Sequence, residues 1–249
     1  MSEMEDAVAE LRAEQTELDA LLDGLSDEEW SLPTPAAGWD VRDQVAHLAD
    51  TNELAYDTAT GGPRQLNEEG LTYTSPEAFT ESGCEKGRAM APAEVLTWWR
   101  TTAERVNEMF LGKDPKERLP WGLGMSARML VTARLMEHWA HSLDIRAALG
   151  VEPNASPRLR SIAFLIVKAT PYAFGVAKID PPPGTLRVEV AYDGETWTFG
   201  PDDADSRITG DALEFCRVGV QRLPYQDAIT LKAEGKLAEA VLRHARAFL

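Results

Sequence analysis

Cysteine is nearly absent from the 249-residue sequence, which contains only Cys84 and Cys216. The two are far apart and neither lies in a CxxC spacing, so the sequence indicates neither a disulfide framework nor a thiolate zinc site. A run of about 18 apolar residues, which a membrane-spanning helix would need, is also lacking. The first residues, MSEMEDAVAELRAEQ, are acidic, whereas a secretory signal starts with basic residues followed by apolar ones. We therefore expect a soluble, cytoplasmic protein with no membrane partner.

Basic residues are scarce as well: 25 Lys and Arg stand against 41 Asp and Glu, for a formal net charge of −16. Residues 1–150 contain 28 of the acidic and 13 of the basic side chains, while residues 151–249 contain 13 and 12. An acidic surface repels phosphate backbones, so we expect no nucleic-acid partner. The change in charge predicts a boundary near residue 150, with one domain at 1–151 and a second at 152–249.

Four segments of the first domain have the apolar spacing of amphipathic helices. Ser2 with Glu5 and Asp40 with Asp43 are capping pairs, and Pro92 suits the first turn of a helix. The predicted helices run from Ser2 to about Gly24, from about Val41 to Thr60, from Pro92 to about Phe110 and from Ser126 to Leu149. Four helices of this length with no strand pattern between them predict a four-helix bundle.

The second domain mixes helix and strand patterns. The segment TLRVEVAY alternates apolar and polar residues, and Asp193-Gly194 is a turn signal before ETWTF, so these residues predict a β-hairpin. Helices are expected at about 157–172, 211–222 and 236–248, with a further strand in AITLKAEG. The predicted fold class is mainly α: a four-helix bundle followed by a small α/β domain with a β-hairpin.

The segment RLMEHWAHSLD places one acid and two histidines close together on the fourth helix. Glu137 and His141 are four residues apart and share a helix face, whereas His138 is rotated by about 100° from Glu137. A metal site would need a ligand from another helix, and the other histidine of this domain is His47 on the second helix. Two imidazoles and a carboxylate suit Zn²⁺, Ni²⁺, Mn²⁺ or Fe²⁺. Spacing alone leaves open that these residues are an exposed helix pair and a core histidine.

The segments TPAAGWDVRDQVAHLAD and RLMEHWAHSLDIRAALG resemble the second and fourth helices of the mycothiol-dependent maleylpyruvate isomerase N-terminal domain, a DinB-like metal-binding bundle. The wider resemblance is to an actinobacterial-type subgroup of these proteins. In the family, a histidine of the second helix and a glutamate and a histidine of the fourth bind a divalent metal. The resemblance therefore implies His47, Glu137 and His141 as metal ligands. It gives His138 no ligand role, and we expect this residue at the surface or packed behind the ligands.

The family's C-terminal part supplies an arginine that assists the substrate carboxylates. Here the resemblance implies Arg222, and after it Arg217, at the end of ALEFCRVGVQR. Arginine suits a dicarboxylate because its planar guanidinium pairs bidentately and stays charged. The alternative is an arginine that the helix dipole favours at a helix C-terminus.

Three acids lie about one helical turn from the implied histidine ligands: Asp43 and Asp50 flank His47, and Asp144 follows His141. Such acids can orient a metal ligand by accepting a hydrogen bond from it. We expect these three to be solvated instead.

Together these features predict a metal-dependent enzyme that uses a low-molecular-weight thiol. The metal would be zinc, with nickel as the alternative, and the cofactor mycothiol or a similar thiol. The expected reaction is isomerisation or thiol transfer on a small-molecule, electrophilic substrate. Two alternatives stay open: a non-catalytic module that binds a divalent metal or a small molecule, and a metal-free bundle that acts through protein contacts. Because bundles of this family often dimerise, the resemblance also allows a homodimer.

Overall fold

The computed structural model describes residues 2–247 of the chain. Contacts group the chain into two units, Met1–Pro153 and Asn154–Leu249. Unit 1 contains the long helices and a two-stranded sheet, whereas unit 2 combines shorter helices with a four-stranded sheet.

Unit 1 is built on four helices of 20 or 22 residues. Its elements, in chain order, are α1 (Glu3–Leu22), α2 (Asp27–Trp30), α3 (Val41–Thr60), α4 (Leu66–Glu69), a 3-10 turn (Gly70–Thr72), α5 (Pro76–Arg88), α6 (Pro92–Leu111), β1 (Arg118–Leu119), β2 (Met125–Ser126) and α7 (Ala127–Ala148). The expected capping boxes at Ser2 and Asp40 are present, and Gly61 ends α3 with a left-handed backbone. Helix α3 thus begins and ends where its local signals predict.

The four long helices form a bundle in which α1 and α3 each pack against both α6 and α7. Their apolar faces meet in a core to which α3 contributes most. This core contains Leu18, Leu22, Trp30, Val41, Val45, Ala46, Leu48, Ala49, Val95, Trp99, Ala103 and Ile145. Each fully buried Val or Leu side chain contributes about 1.5–3 kcal/mol. The core therefore fixes the orientation of α3, the helix that carries His47.

Helix α5 approaches α3 closely because two of its residues are glycines. A Cβ on Gly87 would lie 2.3 Å from Cβ of Ala46, and a Cβ on Gly83 would lie 2.9 Å from Cβ of Asp50. Neither separation is sterically acceptable, so alanine at either position would push the helices apart. The two glycines bring α5 against the stretch of α3 that contains His47.

Unit 2 holds a four-stranded sheet with the strand order β4-β3-β5-β6. Its elements are α8 (Leu159–Lys168), α9 (Thr170–Ala177), β3 (Leu186–Tyr192), β4 (Glu195–Phe199), β5 (Ser206–Asp211), α10 (Ala212–Gly219), a 3-10 turn (Tyr225–Asp227), β6 (Lys232–Glu234) and α11 (Lys236–His244). Strands β3 and β4 form the predicted hairpin, β3 and β5 are parallel, and β5 and β6 are antiparallel. Val188, Val190 and Ile208 are fully buried where α10 packs on the sheet.

The predicted fold class is confirmed: mainly α, with a four-helix bundle followed by a small α/β part that contains a β-hairpin. The single helix expected at 157–172 is wrong, because two helices, α8 and α9, meet there at a bend of 51°. Pro171 explains the break, since it has no N–H to donate to the carbonyl of Val167 and its ring crowds that carbonyl. The helix expected at 211–222 ends at Gly219, and the one expected at 236–248 ends at His244, with residue 248 outside the described residues.

Within residues 2–247, no single helix has both the length and the apolar character needed to cross a membrane. Helices α8 and α9 satisfy this test of length and composition only when the bent pair is taken together.

Candidate metal centre

Helices α3 and α7 bring the three implied ligands together. His47 lies on α3, and Glu137 and His141 lie one turn apart on α7. The Nε2 atoms of His47 and His141 are 3.6 and 3.4 Å from Oε2 of Glu137. One potential ligand atom from each side chain lies within 4.8 Å of the other two. The pair on α7 therefore meets a third donor across the packed interface with α3.

The cluster lies at the margin of the bundle core. His47 and His141 are only 6% and 7% exposed, whereas the Glu137 side chain is 20% exposed. The two imidazole centroids are 4.6 Å apart and the rings are tilted by 51°. Both imidazoles are therefore buried, while the Glu137 side chain is partly exposed.

Glu137 is ionised in this environment. Burial favours the neutral acid, but the imidazoles of His141 and His47 and the positive charge of Arg134 outweigh it, so the pKa of Glu137 lies well below its ordinary value. A negative oxygen beside two imidazole nitrogens is a favourable environment for a divalent cation.

Arg134 is a buried cation on α7, three residues before Glu137. Burial lowers its pKa to about 10, with the charge of Glu137 acting in the opposite direction. Its Nη2 donates to Oγ1 of Thr51 at 2.9 Å and to Oδ1 of Asn52 at 3.0 Å, both on α3. These bonds tie α7 to α3 beside the cluster. Arg134 was not among the predicted site residues, although an arginine among the apolar residues of a bundle helix is an unusual signal.

Gln44 contacts His141 on the side away from Glu137. Its Oε1 lies 2.5 Å from Nδ1 of His141, and its Nε2 donates to Oγ1 of Thr34 at 2.8 Å. Gln44 is fully buried. Neither Gln44 nor Thr34 was among the predicted site residues, and the one sequence signal for Gln44 is its position three residues before His47 on the same helix.

Trp39 forms a wall beside both imidazoles. Its ring centroid lies 5.2 Å from that of His47 and 6.1 Å from that of His141, and its plane is within 19° of parallel to His141. The indole Nε1 donates to Oε2 of Glu81 on α5 at 3.2 Å. Gly38, with φ of 83°, allows the turn that directs the chain into Trp39. The Gly-Trp pair before α3 thus places an aromatic ring against the cluster.

The expectation that the three neighbouring acids are solvated is wrong, because all of them are buried. Asp43 accepts bonds from Arg88 at 2.9 and 2.8 Å, and Asp50 accepts bonds from Arg64 at 2.8 and 3.1 Å. Both arginines come from the chain between α3 and α6, which covers this face of α3. Pairing with arginine offsets the cost of removing these carboxylates from water. Asp144 is buried on α7.

His138 is fully buried, so of the two expected positions, at the surface or packed behind the ligands, the surface position is wrong. Its Nδ1 donates to the backbone carbonyl of Arg134 at 2.7 Å, and its Nε2 accepts a bond from Nε1 of Trp99 at 3.3 Å. Burial, followed by the charge of Arg134, lowers the pKa of His138 to about 3, so the ring is neutral. Both nitrogens are engaged, which leaves no lone pair for a metal.

Both cysteines are buried free thiols. Burial raises the pKa of Cys84 and of Cys216 above the ordinary value, and the charge of Asp43 acts in the same direction on Cys84. Thiols in such surroundings stay protonated and unreactive at neutral pH. The chain's own sulfur atoms are therefore poor candidates for the chemistry of the site.

Arg222, the predicted carboxylate-binding residue, lies in unit 2 just after α10. Its Nη1 donates to the backbone carbonyl of Val220 at 2.9 Å, and its backbone N–H donates to the carbonyl of Arg217 at 2.8 Å. Arg217 lies in the last turn of α10, and its buried Nε has no hydrogen-bond partner within the described part of the chain. The substrate role of Arg222 stays a prediction.

The three clustered side chains fit a divalent metal by their chemistry. Two imidazole nitrogens and an ionised carboxylate oxygen form a donor set found at catalytic zinc sites, where a position remains for water or substrate. The same set also suits other first-row divalent metals. These residues could therefore hold a divalent metal.

Comparisons with known proteins agree with this organisation. The family model of the mycothiol maleylpyruvate isomerase N-terminal domain matches residues 11–146, a range that includes all three cluster residues. Two uncharacterised proteins, from two strains of Mycobacterium tuberculosis, are each 40% identical to this chain over 243 residues. These alignments cover 97% of this chain and 94% of each relative. The resemblance inferred from the motifs of α3 and α7 is confirmed.

The fold also matches solved structures. The crystal structure of the mycothiol-dependent maleylpyruvate isomerase aligns with a TM-score of 0.63 and 16% identity, covering 94% of this chain and 93% of that one. A histidine-to-alanine mutant of that enzyme aligns with a TM-score of 0.61 and 15% identity over the same fractions. At these identities the likeness shows a shared fold.

Proposed function

The chain belongs to the family of the mycothiol maleylpyruvate isomerase N-terminal domain, and from this premise we propose that it is a metal-dependent enzyme of thiol chemistry. Its bundle binds one divalent ion through His47, Glu137 and His141, with zinc as the first candidate and nickel as the second. The reaction is isomerisation or thiol transfer on a small electrophilic molecule, with mycothiol or a similar thiol as cofactor. The proposal is carried by the convergence of two imidazole Nε2 atoms on one ionised, partly exposed carboxylate.

The protein's own side chains have distinct parts in this proposal. When bound, the metal would lower the pKa of a coordinated thiol, so that thiolate is present at neutral pH. Glu137 supplies the negative charge that holds the cation, and the indole of Trp39 keeps water from one side of the imidazoles. Because both cysteines are buried, the reactive thiol comes from a separate molecule.

Arg222 is the proposed partner of a substrate carboxylate. Its guanidinium can pair bidentately with a carboxylate, which the ammonium of lysine cannot do. With maleylpyruvate as the first substrate to assay, Arg222→Lys should raise KM while the metal content stays at the wild-type value. An unchanged KM would remove Arg222 from the site and leave the metal proposal intact.

Elemental analysis of purified protein tests the metal site. We expect one zinc or nickel ion per chain in the wild type and almost none in His47→Ala. His244→Gln is the matched control, since it removes a half-buried histidine of unit 2 and should keep the full metal content. Full metal loading of His47→Ala would contradict the ligand assignment.

A thermal-shift series tests the thiol. A ligand that binds only the native state adds about 2.7 kcal/mol to the free energy of unfolding when its concentration is 100 times its Kd. The melting temperature rises as a result. We expect mycothiol to stabilise the metal-loaded protein and to have no effect after chelator treatment. Metal binding without a thiol-dependent shift would instead favour the non-catalytic metal-binding module.

A further inference from the structure

We propose that Thr34 and Gln44 form a hydrogen-bond relay that keeps the proton of His141 on Nδ1 and so reserves Nε2 for a metal. The relay runs from the backbone carbonyl of Trp39 through Thr34 and Gln44 to His141. The tautomer can be measured without metal, and only the consequence for metal affinity rests on the proposed function. Thr34 and Gln44 are positioning residues, since both act through His141.

The backbone carbonyl of Trp39 determines which group donates and which accepts in each hydrogen bond of the relay. The carbonyl oxygen of Trp39 can only accept hydrogen bonds, and Oγ1 of Thr34 donates to it at 2.9 Å. The backbone N–H of Thr34 donates to the same oxygen at 2.9 Å, which holds the residue in place. A hydroxyl has one hydrogen, so Oγ1 of Thr34 must accept its remaining bond.

The side-chain amide of Gln44 connects Thr34 to the imidazole of His141. The donor that Thr34 requires is Nε2 of Gln44, at 2.8 Å. This places the amide oxygen of Gln44 toward His141, where Oε1 lies 2.5 Å from Nδ1. An amide oxygen accepts only, so Nδ1 of His141 carries the proton.

The tautomer decides which atom can bind metal. A neutral imidazole has one N–H, so a proton on Nδ1 leaves a lone pair on Nε2. That Nε2 is the atom 3.4 Å from Oε2 of Glu137, on the side of the cluster. The relay therefore prepares the ligand atom before a metal arrives, and it also stops the ring from rotating.

Burial makes the relay effective. Gln44 is fully buried, so water cannot replace a lost partner and an amide left unpaired would cost about 1–3 kcal/mol. Partners that orient a metal-bound histidine are typically worth about 10–100-fold in metal affinity. We expect a loss in this range when the relay is cut at Gln44.

Nitrogen-15 NMR of the histidine rings in the full-length, chelator-treated protein tests the tautomer. At a pH where the His141 ring carries a single proton, we expect that proton on Nδ1 in the wild type. Gln44→Glu keeps an oxygen acceptor for Nδ1–H and should retain this pattern. Gln44→Ala removes the acceptor, and Thr34→Val removes the group that orients the amide, so both should shift the ring toward a mixture of tautomers.

Chelator competition with Zn²⁺ measures the second consequence. Gln44→Ala should bind zinc about 10–100-fold more weakly, whereas Gln44→Glu should bind at least as tightly as the wild type. Gln15→Ala is the matched control: Gln15 is also buried and accepts a bond from Asn107, but on α1 and away from the cluster. It should lower stability without changing the His141 spectrum or the zinc affinity.

Several outcomes would overturn the relay. A singly protonated His141 ring with its proton on Nε2 in the wild type would do so, as would a folded Gln44→Ala variant with the wild-type spectrum and zinc affinity. If Gln44→Ala does not fold, Gln44→Glu and Thr34→Val decide the tautomer. A wild type that binds no metal would end the proposed function, while the ring spectrum would still decide the relay.

Discussion

Two histidines of helix α7, three residues apart, differ in the surroundings of one nitrogen. His138 and His141 are both buried, and each directs Nδ1 at an oxygen atom, the carbonyl of Arg134 or the amide of Gln44. Nε2 of His138 meets the indole N–H of Trp99, whereas Nε2 of His141 meets a carboxylate. The indole N–H occupies the lone pair of His138, whereas the carboxylate beside Nε2 of His141 is itself a candidate metal ligand. The partner of the second nitrogen, and not burial, thus separates a core histidine from a candidate ligand.

Removing the charge of Glu137 should have the largest effect. Glu137→Gln keeps the shape of the side chain but removes the negative charge beside the two imidazoles. Residues that only orient a metal ligand are typically worth about 10–100-fold in affinity. We expect Glu137→Gln to lower zinc affinity, measured by chelator competition, by more than this. His138→Gln changes a histidine whose nitrogens are both engaged within the core, and it should keep the wild-type affinity. Equal losses in the two variants would contradict the distinction between the two histidines.

Replacing Arg134 should lower the free energy of unfolding. Its backbone carbonyl accepts a bond from His138, and its guanidinium donates to side chains of α3. Arg134→Met fills the space but leaves the buried Oδ1 of Asn52 without its donor. We expect a loss of about 1–3 kcal/mol in the free energy of unfolding, measured in urea. Arg128→Met, at an exposed position of α7 with a surface ion pair to Glu3, is the matched control and should stay within about 0.5 kcal/mol of wild type. A cost for Arg128→Met as large as that for Arg134→Met would argue against a special role of the buried cation.

The neutral His138 should make the metal-free protein sensitive to acid. Its pKa falls from 6.5 to about 3 on folding. Because the folded pKa is the lower one, its full contribution to stability is present above pH 6.5 and is lost as pH falls toward 3. From this group alone we expect a loss of about 1.4 kcal/mol per pH unit below about pH 6. Urea unfolding of chelator-treated wild type and His138→Gln at several pH values measures it, and identical slopes would refute the expectation.

The indole of Trp39 should have the smallest effect when its ring is preserved. Trp39→Phe removes the bond from Nε1 to Glu81 but leaves an aromatic wall beside the imidazoles. We expect a stability loss of about 0.5–1.5 kcal/mol by urea unfolding and no change in zinc affinity. Trp39→Ala, which also removes the wall, is the comparison variant and should weaken zinc binding. No difference between the two variants would show that the ring does not shield the ligands.

Helix α3 shows how much of the fold was predictable. Its start depends on the capping pair Asp40 and Asp43 and its end on Gly61, all of which act within one turn of the helix end. The break between α8 and α9 was also encoded locally, by Pro171, but apolar periodicity on both sides of the proline masked it. Local signals therefore predict boundaries well where no stronger pattern runs across them.

The surroundings of the cluster were less accessible from the sequence. The i, i+4 pair on α7 and the family motif together pointed to Glu137 and His141 with His47. The burial of Asp43 and Asp50 depends on Arg88 and Arg64, which lie in the chain between α3 and α6. Only the folded structure brings these arginines against α3. The partners of Gln44 lie on the loop before α3 and on α7, so only the packed structure brings them together.

Trp39 contacts the surroundings of the candidate centre in two ways. Its ring lies against both imidazoles, and its backbone carbonyl accepts a bond from Thr34. The ring governs access of water, and the carbonyl sets the orientation of the proton on His141. One small displacement of the loop before α3 would alter both properties at the same time. The position of one loop residue is therefore coupled to both properties, and we expect metal uptake to depend on it.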